Sequence, residues 1–190
     1  MKKMILAASI VLLAACSSSP NEPQVNFMPL ATTSQNKTVD NLSLTLDSKD
    51  VRSAQYVALV DSGRNNIQPI HAKQNIRISL ESAINDQLAS QGYQVTVNSE
   101  NSLSLEIQQL LVNVKHSVMS NEMHAKITLQ LTAETPAGKL VKTFNGTASK
   151  TGTFSASDAQ IEEVLNDITR LVLADIANDP ELNGYMKERF

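Results

Sequence analysis

Residues 102–135 read SLSLEIQQLLVNVKHSVMSNEMHAKITLQLTAET, and their alternation sets the class of fold. In the second half, Ala125, Ile127, Leu129, Leu131 and Ala133 share one face, while Lys126, Thr128, Gln130, Thr132 and Glu134 share the other. A two-residue period with one apolar and one polar side is the pattern of an antiparallel strand that is wet on one face. The first half, Ser102 to Val118, also alternates, but its phase changes. Leu103, Leu105 and Ile107 occupy odd positions, whereas Leu110, Val112, Val114 and Val118 occupy even ones. A period of two changes phase only where a residue is inserted, so a β-bulge is expected around Gln108 to Leu111 unless both faces are covered there. The polar turn Met119-Ser120-Asn121-Glu122 joins the halves into a hairpin centred near Ser120.

Further strands are expected on both sides of the hairpin. Leu42, Leu44 and Leu46 alternate with polar residues, and Tyr56 to Val60 forms an apolar run closed by the turn Asp61-Ser62-Gly63-Arg64. Asn66 to His71 is interrupted by Pro69 and reads as an edge strand at most. Tyr93, Val95 and Val97 suggest another strand. Downstream, Pro136-Ala137-Gly138-Lys139 turns the chain into a strand from Leu140 to about Phe154.

Two helices separate these strands. The first starts at Asn75 as N-cap and runs to about Gln91. Ile76, Leu80, Ala83, Ile84, Gln87 and Leu88 form its apolar stripe, and Gly92 supplies the left-handed residue that ends it. The second starts at Ser157, with Gln160 completing a capping box. It carries a stripe of Ile161, Val164, Leu165, Ile168, Leu171, Val172 and Ile176. Asp179-Pro180 is expected to end it, leaving Tyr185 to Phe190 as a terminal turn or frayed tail. The order strands, helix, strands, helix implies an α+β domain over residues 41–190, with a mostly antiparallel β-sheet and two α-helices packed on one face.

The amino-terminal 40 residues differ in character. Lys2 and Lys3 precede ten largely apolar residues, Met4 to Leu13, and the tetrapeptide Leu13-Ala14-Ala15-Cys16 follows. This arrangement looks like a lipoprotein signal peptide, residues 1–15, with small residues before the acceptor Cys16. The apolar run is too short for a transmembrane helix, which needs roughly 17–25 residues. Acyl chains on Cys16 would anchor the protein, since each buried CH₂ contributes about 0.8 kcal/mol and two or three chains together bind stably. Residues 16–40 read as the acylated cysteine and a flexible tether of about 25–30 Å root-mean-square length. Within it, Val25, Phe27, Met28 and Leu30 are suited either to dock on the domain or to bind a partner.

Composition narrows the functions. Loss of Lys2 and Lys3 with the leader takes the formal charge from −3 to −5, a balance that disfavours nucleic acid and electrostatic attachment to anionic lipid. Cys16 is the only cysteine, so its acylation leaves no thiol for a disulfide or a thiolate metal site. Four Phe, three Tyr and no Trp weaken any aromatic-lined sugar site. No cofactor motif, Gly-x-Ser-x-Gly elbow or phosphate loop is present.

Three weaker candidates for chemistry remain. In the expected hairpin, His116 and His124 fall almost opposite each other, and with Glu122 they could bind zinc or copper; the alternative is two exposed imidazoles. Asp158, Glu162, Glu163 and Asp167 cluster on the second helix, where helical spacing and the helix dipole also explain them. Ser149-Lys150 is either a solvated pair or a dyad.

The lipobox at Cys16, the run Asn75-Ile76-Arg77 through Gln87-Leu88 to Gly92-Tyr93-Gln94-Val95, and the junction Gly152-Thr153-Phe154-Ser155-Ala156-Ser157 together resemble the YajG-type lipoproteins of Gram-negative bacteria. The resemblance implies an envelope lipoprotein with a compact periplasmic domain and transfers no catalytic residues. For such lipoproteins, Ser17 after the acylated cysteine implies the periplasmic leaflet of the outer membrane. The expected role is a non-enzymatic binding or scaffold module that meets an envelope protein partner. The runner-up is a carrier of a lipid or cell-wall fragment between sheet and helices, and an envelope hydrolase stands third.

Overall fold

The computed structural model describes residues 23–63 and 66–190. The expected signal peptide, residues 1–15, and the expected lipidation site Cys16 lie outside the described residues. In chain order the elements are β1 (Gln24–Val25), β2 (Leu42–Asp50), β3 (Tyr56–Asp61), β4 (Ile67–Ala72), α1 (Ile76–Gln91), β5 (Tyr93–Val95), β6 (Ser102–His116), β7 (Ser120–Thr135), β8 (Gly138–Thr153), α2 (Asp158–Asn178) and α3 (Pro180–Arg189).

The hairpin β6–β7 is the spine. Its register runs from Ser102↔Glu134 to His116↔Asn121 and shifts between Ile107 and Gln109. Gln108 is therefore the inserted residue, and the phase change of the apolar positions has the expected cause. On both sides of the bulge the buried set stays on one face: Leu103, Leu105 and Ile107, then Leu110, Val112 and Val114.

The sheet is mixed, which corrects the expectation of a mostly antiparallel one. β6, β7 and β8 are antiparallel, as are β3 and β4. On its other side, however, β6 pairs in parallel with two strands in turn. Its residues 102–107 pair with β2 and its residues 112–115 with β3. β5 joins β2 and β1 joins β4, also in parallel. Alternation reports which face a side chain occupies and says nothing about the direction of the neighbouring strand.

α1 and α2 cover the same face, and their apolar stripes merge with the sheet into one core. Asn75 caps α1 through the Ile78 N–H, and Gly92 ends it at φ 100°. A Cβ on Gly92 would lie 2.1 Å from the Val39 carbonyl oxygen, so that position needs glycine for both conformation and space. Ser157 and Gln160 form the capping box of α2. Its buried stripe includes Thr169, Leu173 and Ala177, whereas Leu171, expected inside, is exposed. α2 comes close to β8 at Gly146, where a Cβ would stand 2.6 Å from Val172 Cγ2 and 2.9 Å from Ile127 Cγ2.

Two further expectations are corrected. Asp179-Pro180 does end α2, but it also begins a third helix. Asp179 accepts from the Leu182 N–H, Pro180 occupies the first turn, and Leu182 and Met186 are buried, so the carboxyl terminus is not a tail. The expectation of a flexible tether over residues 16–40 is also corrected for its described part, because residues 23–40 lie against the domain. Val25 and Phe27 are fully buried. The backbone and side-chain nitrogens of Asn26 both donate to Glu162 Oε1 at 2.7 Å, and Met28 N–H donates to Asn166. Farther on, Ser34 N–H meets Ser90 Oγ, and the Thr38 and Val39 N–H groups meet the Gln91 carbonyl.

Candidate functional site

The histidines do not form a pair. In the observed register His124 faces Asn113 and Ser149, while His116 faces Asn121. The two side chains lie on opposite faces of the sheet. His124 is on the wet face, with Nδ1 2.9 Å from Ser149 Oγ and Nε2 3.9 Å from Glu122. His116 is on the helix face, where Nε2 accepts from the Ala156 N–H at 3.0 Å and steadies the chain entering α2. The expected register sets His116 opposite His124, but His116 pairs with Asn121, a register shift of three residues, and any odd shift exchanges faces. Among the described residues, no three His, Cys, Asp or Glu side chains are grouped closely enough to hold a metal.

Asp158 stands in the first turn of α2, and the other three candidate carboxylates of this helix each have a partner. Glu162 holds Asn26, Glu163 pairs with Lys150 at 2.6 Å, and Asp167 lies 3.4 Å from Arg170. Ser149 and Lys150 point to opposite faces, Ser149 toward His124 and Lys150 toward Glu163, so they do not form a dyad. The space between helices and sheet is filled by side chains such as Ile127, Leu129, Ile168 and Val172, each at most 1% exposed.

An unexpected polar cluster sits at the bulge. Between Ile107, the last partner of β2, and Val112, the first partner of β3, one side of β6 has no strand beside it. Arg52 occupies that gap with its side chain 4% exposed. Its Nε and Nη2 grip the two Asp50 oxygens at 2.9 and 2.8 Å, and Nη1 reaches the Tyr56 and Leu110 carbonyls at 3.4 Å. Burial pushes the Asp50 carboxyl up, but the hydrogen bonds and charge of Arg52 outweigh it and hold the pKa below the usual carboxylate value. A cleft of about 250 Å³ opens beside Arg52, lined by Tyr56 and residues 108–111. With the guanidinium already committed to Asp50, the cluster serves as a plug for the sheet. No sequence signal isolates Arg52, since Asp-Val-Arg is an ordinary polar connection.

The remaining feature is an open edge. Among the described residues β8 pairs with β7 only. Its register and the bond from Phe154 N–H to the Met119 carbonyl show that even-numbered residues bond β7. The odd-numbered ones, from Lys139 to Thr153, therefore direct their N–H and C=O groups outward. Lys142 is pinned from this strand to Asp179 and Glu181, at 2.7 and 2.8 Å.

Comparison with known proteins agrees with this architecture. The chain is 22% identical over 181 residues to the protein named uncharacterized lipoprotein YajG of Escherichia coli K12, covering 95% of this chain and 93% of that one. The fold is similar to the crystal structure of a DUF330 protein from Xanthomonas campestris, with a TM-score of 0.60, 12% identity and coverage of 86% of this chain and 98% of that one. A second crystal structure, titled an uncharacterized protein, gives a TM-score of 0.52 at 12% identity and covers 83% and 97%. A family model described as uncharacterized lipoprotein matches residues 29–187. That match spans most of the folded domain, from the strapped segment through α3, and the chain belongs to this lipoprotein family.

Proposed function

We propose that the chain is a non-catalytic scaffold lipoprotein, acylated on Cys16 after loss of residues 1–15 and facing the periplasm from the outer membrane. The family supports an envelope lipoprotein, and Leu13-Ala14-Ala15-Cys16 followed by Ser17 supports the anchor and its destination. The observation that carries the binding role is β8, a 16-residue strand with one side unpaired. Such an edge is a template for a partner strand unless it is covered, and peptide recognition by strand addition uses this geometry. Glu162, Glu163 and His116 support this reading too, because each is engaged with Asn26, Lys150 or the Ala156 N–H and not with another candidate group. The filled space between sheet and helices favours an external partner over a ligand carried inside.

Two measurements test the proposal. Labelled palmitate enters the wild-type chain and not Cys16→Ser. A photo-crosslinking residue at Thr143 or Thr147, on the outward side of β8, captures a reproducible envelope protein in intact cells, whereas the same residue at Val97 does not. Equal labelling of Cys16→Ser removes the anchor, and capture that does not depend on position removes the edge as the binding surface.

A further inference from the structure

One end of the domain collects exposed apolar side chains. β6 ends there, β7 begins there, and β8 returns to it, so Val118, Met119 and Phe154 lie together. They are 96%, 73% and 70% exposed. Ile67, the first residue of β4, pairs with Asp61, which pairs in turn with Lys115, so it sits at the same end and is exposed as well. Ser62, Gly63 and Asn66 line one cleft with His116, Ser117 and Val118, which joins the two turns into a single surface.

Two observations mark this end as more than a pair of loop tips. Phe154 has φ 61°, a left-handed conformation costly for an aromatic residue, and is held there by its N–H to Met119 and by Asn121 Nδ2 to its carbonyl. Strain that exposes a large ring to water has no stabilising purpose inside the domain. The tips themselves are uncharged, with Asp61, Lys115 and Glu122 bordering them. Residues 116–121 and 151–157 contain no Asp, Glu, Lys or Arg, in a chain whose net charge is negative.

The route of the chain selects the occupant. β1 runs parallel to β4, which starts at this end, so the amino-terminal end of β1 is directed toward that side. Pro23 lies seven residue steps beyond Cys16, and a chain of that length spans at most about 25 Å. Gln24 pairs with His71, four positions along β4 from Ile67, and covering that height takes about 13 Å at 3.3 Å per residue. On the order of 10 Å then remains beyond the end of the sheet. Resting on the anchor reading, we propose that the end bearing Ile67, Val118, Met119 and Phe154 lies on the lipid bilayer, with these side chains entering its interfacial layer. The acyl chains supply the attachment, and the uncharged apolar tips fix the orientation. The β8 edge then stands upright from the membrane.

The test uses the full lipidated chain, floated with vesicles of phosphatidylethanolamine and phosphatidylglycerol. A single free cysteine is introduced as Val118→Cys or, at the opposite end, as Val97→Cys, where the side chain is 87% exposed. Each is labelled with a polarity-sensitive fluorophore and quenched by spin-labelled lipid. The label at position 118 is expected to lose about half of its emission, and the label at 97 less than about a tenth, given an interfacial depth of 5–10 Å. Phe154→Gly, in the Val118→Cys background, weakens the quenching without lowering the unfolding midpoint. Equal quenching at the two positions in a chain that floats overturns the orientation and leaves the anchor intact. A chain that neither floats nor takes up palmitate overturns both. A label at 118 that is shielded only in native envelopes, and crosslinks there to a protein, replaces the bilayer with a protein partner.

Discussion

Arg52 shows how one side chain keeps a divided sheet together. β6 passes from β2 to β3 along its length, and the guanidinium fills the interval where neither strand is beside it. Buried ion pairs rarely add much net stability, yet removing one partner strands the other without solvent. Arg52→Ala is therefore expected to cost about 3–5 kcal/mol in urea unfolding at neutral pH. Asp50→Ala should cost a similar amount, because Arg52 then loses its bidentate partner. The double variant should cost clearly less than the sum, and additivity in that cycle would show that the pair is not a unit. The pH dependence has a definite sign. The folded Asp50 pKa is lowered, so its contribution is complete above the unfolded value of about 3.9 and is lost as pH falls through the folded value. The difference between wild type and Arg52→Ala should thus narrow in acid below about pH 4. Arg52 was illegible from sequence because the gap it fills exists only after two distant strands have chosen the same neighbour.

Among the elements, the ones with long unbroken periods were the legible ones. β7 keeps five apolar residues in phase, α1 and α2 carry caps at both sequence and structure level, and the bulge is visible as a phase change. Direction of pairing was hidden, since parallel and antiparallel neighbours bury the same alternate residues. α3 was hidden for a different reason: Pro180 reads equally well as the stop of one helix and the first turn of the next. The His116–His124 pairing failed on register alone. β8 is the element whose open side can be tested by backbone chemistry. The Thr147 N–H points outward, so Thr147→Pro removes no ladder bond and should leave stability within about 1 kcal/mol while blocking strand addition and partner capture. The Ala148 N–H bonds the buried Ala125 on β7, so Ala148→Pro should cost at least about 1–3 kcal/mol. Equal destabilisation by the two prolines, measured by thermal unfolding, would show that the edge is not open in the way its register implies.

At the scale of the molecule, the amino-terminal boundary of the folded domain matters most. Residues 16–40 have the composition of a linker, and two-residue β1 is too short to leave any periodic trace. What converts the segment into structure is the rest of the protein: a hollow that takes Phe27, and Glu162 and Asn166 on α2 placed to bond Asn26 and Met28. The strap passes from β4 across α2 to the end of α1, where Thr38 and Val39 meet Gln91. It therefore joins both helices to the sheet, and its loss should loosen the whole core. Phe27→Ala is the discriminating change. A residue in a solvated tether would contribute nothing to unfolding, whereas an aromatic ring with no exposed surface should cost about 3–5 kcal/mol when truncated. Urea unfolding of the full domain measures this directly, with Met28→Ala as the exposed neighbour that should change stability by less than about 0.5 kcal/mol. Counted from Pro23, the chain back to Cys16 can span at most about 25 Å, against about 80 Å counted from residue 40. With the chain acylated on Cys16 as proposed, a stable core that begins at Pro23 would keep the domain beside the membrane, and loosening the strap by Phe27→Ala should then lengthen the distance from membrane to Val97 measured by energy transfer.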